Sequence, residues 1–93
     1  MAETIDEITI EYTDGGVLVT KVLDQEVLTR GAWTTIIFRY QSWNETKQAY
    51  GPEAYSIRRY QKKGGAYMQR SKFNISNADQ AKKLIEILTR WVA

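Results

Sequence analysis

The 93-residue sequence contains no cysteine and no histidine. Without cysteine, the chain has neither a disulfide framework nor a thiolate metal site. Without histidine, it lacks the commonest metal ligand and the side chain that best shuttles protons at neutral pH. The two absences also exclude Ser-His-Asp and Cys-His nucleophile systems. We therefore expect a protein that is not an enzyme and that uses no metal and no small-molecule cofactor.

Long apolar runs are also absent, since none approaches the ~20 residues that a membrane-spanning helix needs. The first ten residues, MAETIDEITI, are acidic and lack the basic and apolar regions of a signal peptide. These features predict an intracellular, cytoplasmic protein that does not associate with a membrane.

The composition is 43% hydrophobic, 12% aromatic and 26% charged, which is typical of a compact globular protein. We expect a single domain over residues 1–93. A chain of this length hides only about 60–65% of the surface of its unfolded state, so its core is thin. Dense aromatic packing or a dimer interface would compensate for the thin core.

The net charge of +2 conceals an uneven distribution along the chain. Residues 1–38 contain seven acids and two bases, whereas residues 39–93 contain eleven bases and four acids. Six bases and no acid occur between positions 58 and 72, namely Arg58, Arg59, Lys62, Lys63, Arg70 and Lys72. Such asymmetry favours an anionic partner, although an ordinary solvated face of a hairpin explains it as well.

The hydrophobic periodicity predicts strands first and one helix last. Residues 8–12 alternate between apolar and polar side chains, and Asp14-Gly15-Gly16 is typical of a tight turn. Further strands are predicted at residues 17–28, with a bend near Asp24, and at 32–41, 54–61 and 66–75, with the longest loop over 42–53. The predicted fold is therefore α+β, an antiparallel curved sheet of four or five strands in a meander followed by one C-terminal amphipathic helix. Its strands occupy residues 5–75 and its helix residues 77–92.

The predicted helix has an unusually wide apolar face. Ser76 is a suitable N-cap, and Asp79 offers the carboxylate of a capping box. The apolar positions that follow cover an arc of roughly 180°, wider than the ~100° of an ordinary surface helix. This width favours a homodimer in which the same helix of a second subunit covers Leu84, Leu88 and Trp91. A strongly curved sheet that wraps the helix is the alternative.

Alternation also divides the last two strands into two faces. In the final strand, Arg70 and Lys72 alternate with Phe73 and Ile75, whose apolar character predicts that they face the core. The two cations are then expected to lie together in solvent.

In the preceding strand, an inward Ile57 would place Arg58 and Tyr60 outward, beside those two cations. Cations bind phosphates, and exposed rings stack on unpaired bases for ~1–3 kcal/mol per base. An open sheet face with both groups therefore suits single-stranded nucleic acid. The alternative is that tyrosine is common in strands and that arginine protects sheet edges. The candidate nucleic-acid-binding residues are Arg58, Tyr60, Lys62, Lys63, Arg70 and Lys72.

The same segment resembles the C-terminal domain of the transcriptional coactivators that bind single-stranded DNA (positive cofactor four). That family shows an Ile-Arg-x-Tyr strand, a glycine-containing hairpin, a basic strand that ends in lysine, and Ile-Ser at the start of a helix. The matching pieces here are Ile57-Arg58-Arg59-Tyr60, Gly64-Gly65, Lys72 and Ile75-Ser76. The resemblance covers much of the second half of the chain.

The resemblance implies a curved sheet backed by a helix, a homodimer with antiparallel helices, and a DNA-binding protein associated with transcription or replication. It assigns binding roles to Arg58 and Lys72. The family has an aromatic residue where this chain has Gln61, and Lys-Gly where it has Phe73-Asn74. The rings of Tyr67, Trp33, Tyr40 or Trp43 are the candidates to replace the missing one.

Taken together, the sequence predicts a module that binds single-stranded DNA or RNA and forms a homodimer through its C-terminal helix. The alternative is a dimeric protein-interaction or structural domain whose basic hairpin meets an acidic protein partner.

Overall fold

A computed structural model describes residues 2–93. It contains a short 3-10 turn at Ile5–Glu7, six strands and one helix, and it confirms the predicted α+β fold. The elements are β1 Tyr12–Asp14, β2 Val17–Thr29, β3 Trp33–Asn44, β4 Ala49–Tyr50, β5 Ala54–Lys63, β6 Ala66–Ile75 and α1 Ala78–Val92. No helix within residues 2–93 is long and apolar enough to cross a membrane.

The strands form an antiparallel meander in the order β1-β2-β3-β5-β6, and the short strand β4 pairs with the end of β3. Bulges interrupt the β2–β3 ladder between Val22 and Asp24 and between Val27 and Thr29. Further bulges lie between Arg59 and Tyr60 in the β5–β6 ladder and between Tyr12 and Thr13 in the β1–β2 ladder. Because a bulge bends its strand and increases the local twist, these positions curl the sheet. The bend predicted near Asp24 is confirmed.

The N-terminal strand predicted at residues 8–12 is wrong, because β1 begins only at Tyr12. A 3-10 turn precedes it, and a reciprocal cap between Thr4 and Glu7 holds this turn. The carboxylate of Glu7 accepts hydrogen bonds from the Thr4 backbone N–H at 2.9 Å and from the Glu3 backbone N–H at 3.1 Å. These local hydrogen bonds compete with strand pairing.

The loop predicted over residues 42–53 is also largely structured. Strand β3 continues to Asn44, and β4 folds back on it. The Tyr50 ring meets Trp43 edge-on at 5.1 Å between centroids, and its hydroxyl donates to the Leu18 carbonyl oxygen at 2.8 Å. Aromatic packing therefore orders a polar segment.

The helix begins one residue later than predicted, with Asn77 rather than Ser76 as its N-cap. The Asn77 side-chain oxygen accepts from the Gln80 backbone N–H at 2.8 Å, and the Gln80 side chain accepts from the Ser76 N–H at the same distance. Asparagine is as good an N-cap as serine, so the two candidates were close in energy.

The main core lies on one face of the sheet, which we call the N-terminal face. Ile36, Phe38 and Tyr60 point to this face from β3 and β5, and Ile8 from the N-terminal segment covers them. The core is small, as expected for a chain of this length.

The opposite face, which we call the helix face, carries Ile37, Ile57 and Ile75 next to α1. The helix leaves a groove of about 570 Å³ between itself and the sheet, and none of its residues is buried. Leu88 is 47% exposed and Trp91 is 74% exposed. The sheet of one chain therefore does not wrap the helix, and the apolar arc predicted from the periodicity is open.

Candidate nucleic-acid interface

Strands β5 and β6 form a two-stranded hairpin that we call the basic hairpin, residues 54–75. Its tip is Gly64-Gly65, with φ angles of 62° and 83°. A tight hairpin turn requires positive φ at both central positions, which glycine adopts at little cost. The register pairs Lys63 with Ala66 and Lys62 with Tyr67, so two lysines stand at the tip.

The basic hairpin carries a concentration of cations without counter-charges. Within residues 2–93, the basic partners of all salt bridges are Arg39, Lys83 and Arg90. The six hairpin cations take part in none of these ion pairs, and they are Arg58, Arg59, Lys62, Lys63, Arg70 and Lys72. Their positive potential is therefore available to an anionic ligand.

Arg58 and Lys72 lie directly opposite each other across the β5–β6 ladder, on the N-terminal face. The sequence predicted that they share a face, but an open one with Phe73 on the core side, whereas the main core lies on their face and Phe73 is 57% exposed. Neighbouring side chains fix the Arg58 guanidinium, whose Nε donates to Ser56 Oγ at 3.0 Å and whose Nη1 donates to Gln69 Oε1 at 2.9 Å. Ser56 is fully buried and donates in turn to Asn74 Oδ1 at 2.7 Å. Arg58 is thus held in one orientation before any ligand arrives.

The prediction that Arg70 lies beside Lys72 on one face is wrong. The bulge between Arg59 and Tyr60 places one extra residue in β6, so the alternation shifts at Arg70. Arg70 Nε instead donates to the side-chain oxygen of Gln61 at 3.1 Å, and Gln61 alternates with Tyr60 and so belongs to the helix face. The cations of the basic hairpin are therefore divided between the two faces.

The prediction that Tyr60 lies on an open face is also wrong, since Tyr60 is only 6% exposed. Its ring belongs to the core cluster with Ile8, Ile36 and Phe38. Burial raises the pKa of Tyr60 above its ordinary value, and the charge of Arg58 opposes part of that increase. Ile8, which covers the Tyr60 ring, is far from it in sequence, so the alternation within β5 gives no sign of this contact. Tyr60 is therefore not an exposed stacking ring in this conformation.

Two other rings accompany the hairpin cations. The Arg59 guanidinium lies 4.5 Å from the centroid of the Trp33 ring, and Trp33 is 42% exposed. On the opposite face, Lys62 Nζ lies 5.5 Å from the centroid of the Tyr67 ring. The sequence indicated both rings as candidates to replace the aromatic ring that is missing at Gln61. The pairing of β3 with β5 brings Trp33 next to the hairpin.

The residues predicted for the dimer interface lie along α1. Leu84 and Leu88 line the open groove on the helix face, with Ile57 on its sheet side. Trp91 lies near the end of the helix, mostly exposed. The three side chains thus belong to one largely uncovered apolar surface.

No protein-family model, curated protein or solved structure matches this chain. The resemblance to the coactivator family therefore rests on the residues quoted from the basic hairpin and stays a prediction. Two of those residues, Arg58 and Lys72, are cross-strand neighbours in this fold.

Proposed function

We propose that the protein is a homodimeric module that binds single-stranded nucleic acid, DNA or RNA, through the basic hairpin. The observation that carries the proposal is the set of hairpin cations with no ion-pair partner within residues 2–93. A nucleic acid that binds cations exchanges condensed counterions for protein charges, and this release drives association. Cations already paired with carboxylates would contribute less.

Arg58 and Lys72 form the centre of the proposed phosphate-binding surface. Directly opposite residues of an antiparallel pair have Cα atoms about 4.5–5.5 Å apart, so the two charges act on neighbouring phosphates. The hydrogen bonds from Arg58 to Ser56 and Gln69 orient the guanidinium in advance. Pre-organisation of this kind reduces the entropy lost on binding. Lys62 extends this surface towards the tip, and Lys63 follows it on the other face of the strand.

The rings favour single strands over duplexes. Tyr67 lies beside Lys62 on the phosphate-binding side, and Trp33 lies beside Arg59 on the other side of the hairpin. A base can stack on such a ring only when its face is free, as in a single strand. In a duplex, neighbouring bases cover both faces of each base, so only the cations of the protein could contribute to binding.

The homodimer rests on the uncovered apolar surface of α1. Ile85 and Val92 are exposed together with Leu88 and Trp91, and the groove beside them has an almost entirely apolar lining. A monomeric soluble protein rarely exposes a contiguous apolar surface of this kind. The helix of a second copy supplies an apolar arc of the same width, and a symmetric pair buries both arcs at once.

Neutralising the central pair tests the proposed surface. Arg58→Gln combined with Lys72→Gln should weaken binding of a fluorescein-labelled, mixed-sequence single strand. The slope of log affinity against log salt should become shallower by about 1.4, since each lost phosphate contact removes about 0.7.

The matched control is Arg30→Gln combined with Lys47→Gln, which removes the same charge from exposed positions outside the hairpin. Circular dichroism would verify that both proteins are folded. Equal losses of affinity in the two double variants would contradict the proposed surface. Binding of an acidic protein segment but of no oligonucleotide would favour the protein-interaction alternative.

A further inference from the structure

Residues 2–11, which we call the N-terminal segment, cross the face that carries Arg58 and Lys72. At the β6 end, the Tyr67 backbone N–H donates to the Ala2 carbonyl oxygen at 2.7 Å. Near the middle, Ile8 is only 3% exposed and packs on Tyr60. The segment thus runs from β6 towards β2 over the ring that the sequence assigned to base stacking.

Apolar contacts hold this segment on the sheet, since Ala2, Ile5 and Ile10 pack against the core cluster that contains Ile8, but its hydrogen bonds to the sheet are few. Beyond the Ala2 contact, the Gln25 side chain donates to the Ile8 carbonyl oxygen at 3.5 Å, and the Glu11 carboxylate accepts from the Val22 N–H at 3.3 Å. Both hydrogen bonds are long. An open pocket of about 400 Å³ borders the segment, lined by Ala2, Glu7, Ile8, Thr9, Tyr60 and Tyr67. Because few hydrogen bonds hold the segment and it borders this pocket, we expect it to open at a lower free energy than the paired strands.

The charge of the segment opposes a nucleic acid. It contains the acids Glu3, Asp6, Glu7 and Glu11, and no base. None of these carboxylates forms a salt bridge with a hairpin cation within residues 2–93. Hydrogen bonds from Thr4, above all from its hydroxyl, lower the pKa of Glu7 and so favour its charged form. A phosphate chain that approaches Arg58 therefore meets acidic groups on the same face.

We propose that the N-terminal segment is a displaceable acidic cover, which competes with nucleic acid for the N-terminal face of the basic hairpin. This inference rests on the proposed function. Displacement removes Ile8 from Tyr60 and exposes that ring next to Arg58 and Lys72. The open state then has the cation-and-ring surface that the sequence predicted, whereas the closed state hides its ring.

A disulfide that locks the cover closed tests the proposal. Ala2 and Tyr67 form an isolated antiparallel bridge, which places their Cα atoms within the range that a disulfide spans. Since the chain has no cysteine, Ala2→Cys combined with Tyr67→Cys gives one defined pair. We expect the oxidised protein to bind a labelled single strand at least about tenfold more weakly than the same protein when reduced. Tyr67→Cys alone, whose affinity should not respond to oxidant, controls for the lost ring.

A second variant tests the charge of the cover without any crosslink. Glu3→Gln combined with Asp6→Asn should tighten binding several-fold. The matched control, Asp14→Asn combined with Glu26→Gln, removes two acids from exposed positions outside the segment and should have a smaller effect.

Equal affinities of the oxidised and reduced proteins, or equal effects of the two acid variants, would refute the proposal that the N-terminal segment competes with nucleic acid. Neither result would contradict the proposed function. Absence of binding by the wild-type and the reduced protein would instead overturn the proposed function and, with it, the competition.

Discussion

Replacement of Tyr60 by alanine should destabilise the fold rather than only weaken binding. The ring is 6% exposed and packs on Ile8, Ile36 and Phe38. Removal of a buried aromatic ring costs about 3–5 kcal/mol, because transfer free energy is lost and a cavity remains. We expect about 3 kcal/mol for Tyr60→Ala, the low end, since the N-terminal segment already borders an open pocket and can relax into the new space.

This loss is a large part of the stability of a small domain, which is typically about 5–15 kcal/mol. For a chain of this size, 1 kcal/mol corresponds to a shift in Tm of about 4–8 °C, so Tm should fall by about 12 °C or more. Urea denaturation followed by circular dichroism at a fixed protein concentration measures the change in free energy of unfolding.

Two control variants separate packing from other effects. Tyr12→Ala removes a tyrosine that is 58% exposed on β1 and should change the free energy of unfolding by less than about 0.5 kcal/mol. Tyr60→Phe keeps the ring and should stay within about 1 kcal/mol of the wild type. If Tyr60→Ala proved as stable as Tyr12→Ala, the ring would not be part of the core, and the assignment of the N-terminal face would be refuted.

Three further predictions concern the helix and the pH dependence of stability. We expect the wild type to be a dimer in sedimentation equilibrium and Leu88→Asp to give monomers, and a wild-type monomer at tens of micromolar would contradict the proposed dimer. Asn77→Ala should cost about 1 kcal/mol in urea denaturation through loss of the cap, whereas Ser76→Ala should cost less, and the reverse order would refute the observed cap. Because burial raises the pKa of Tyr60, the unfolded chain loses this proton first, and stability should fall as the pH rises above about 10. Tyr60→Phe should reduce that fall in urea midpoints measured across this range, and an unchanged fall would argue against the buried hydroxyl.

The strands and the helix were predictable because their signals are local. Period-two alternation, glycine turns and the apolar arc of residues 78–92 each depend on neighbours in sequence. The same reasoning placed Arg58 and Lys72 on one face correctly, since the ladder between Tyr55 and Arg59 is regular. It failed at Arg70, where a bulge adds one residue and shifts the alternation without a sequence signal such as glycine or proline.

The features that the sequence missed depend on contacts between distant segments. Ile8 covers Tyr60 from more than fifty residues away, and no pattern within β5 reveals such a contact. The β4 strand depends likewise on the hydrogen bond between Tyr50 and Leu18. Trp33 contacts Arg59 because β3 pairs with β5 on the side opposite β6, and this pairing is not evident from the local sequence.

The salt dependence of oligonucleotide binding by the wild-type protein tests the central claim most directly. Fluorescence anisotropy with one mixed-sequence single strand, over a range of potassium chloride concentrations, gives the slope of log affinity against log salt. Contacts from Arg58, Lys62 and Lys72 predict a slope of about −2.1, at about −0.7 for each phosphate. An affinity that does not change between low and physiological ionic strength would contradict the assignment of the basic hairpin as a phosphate-binding surface.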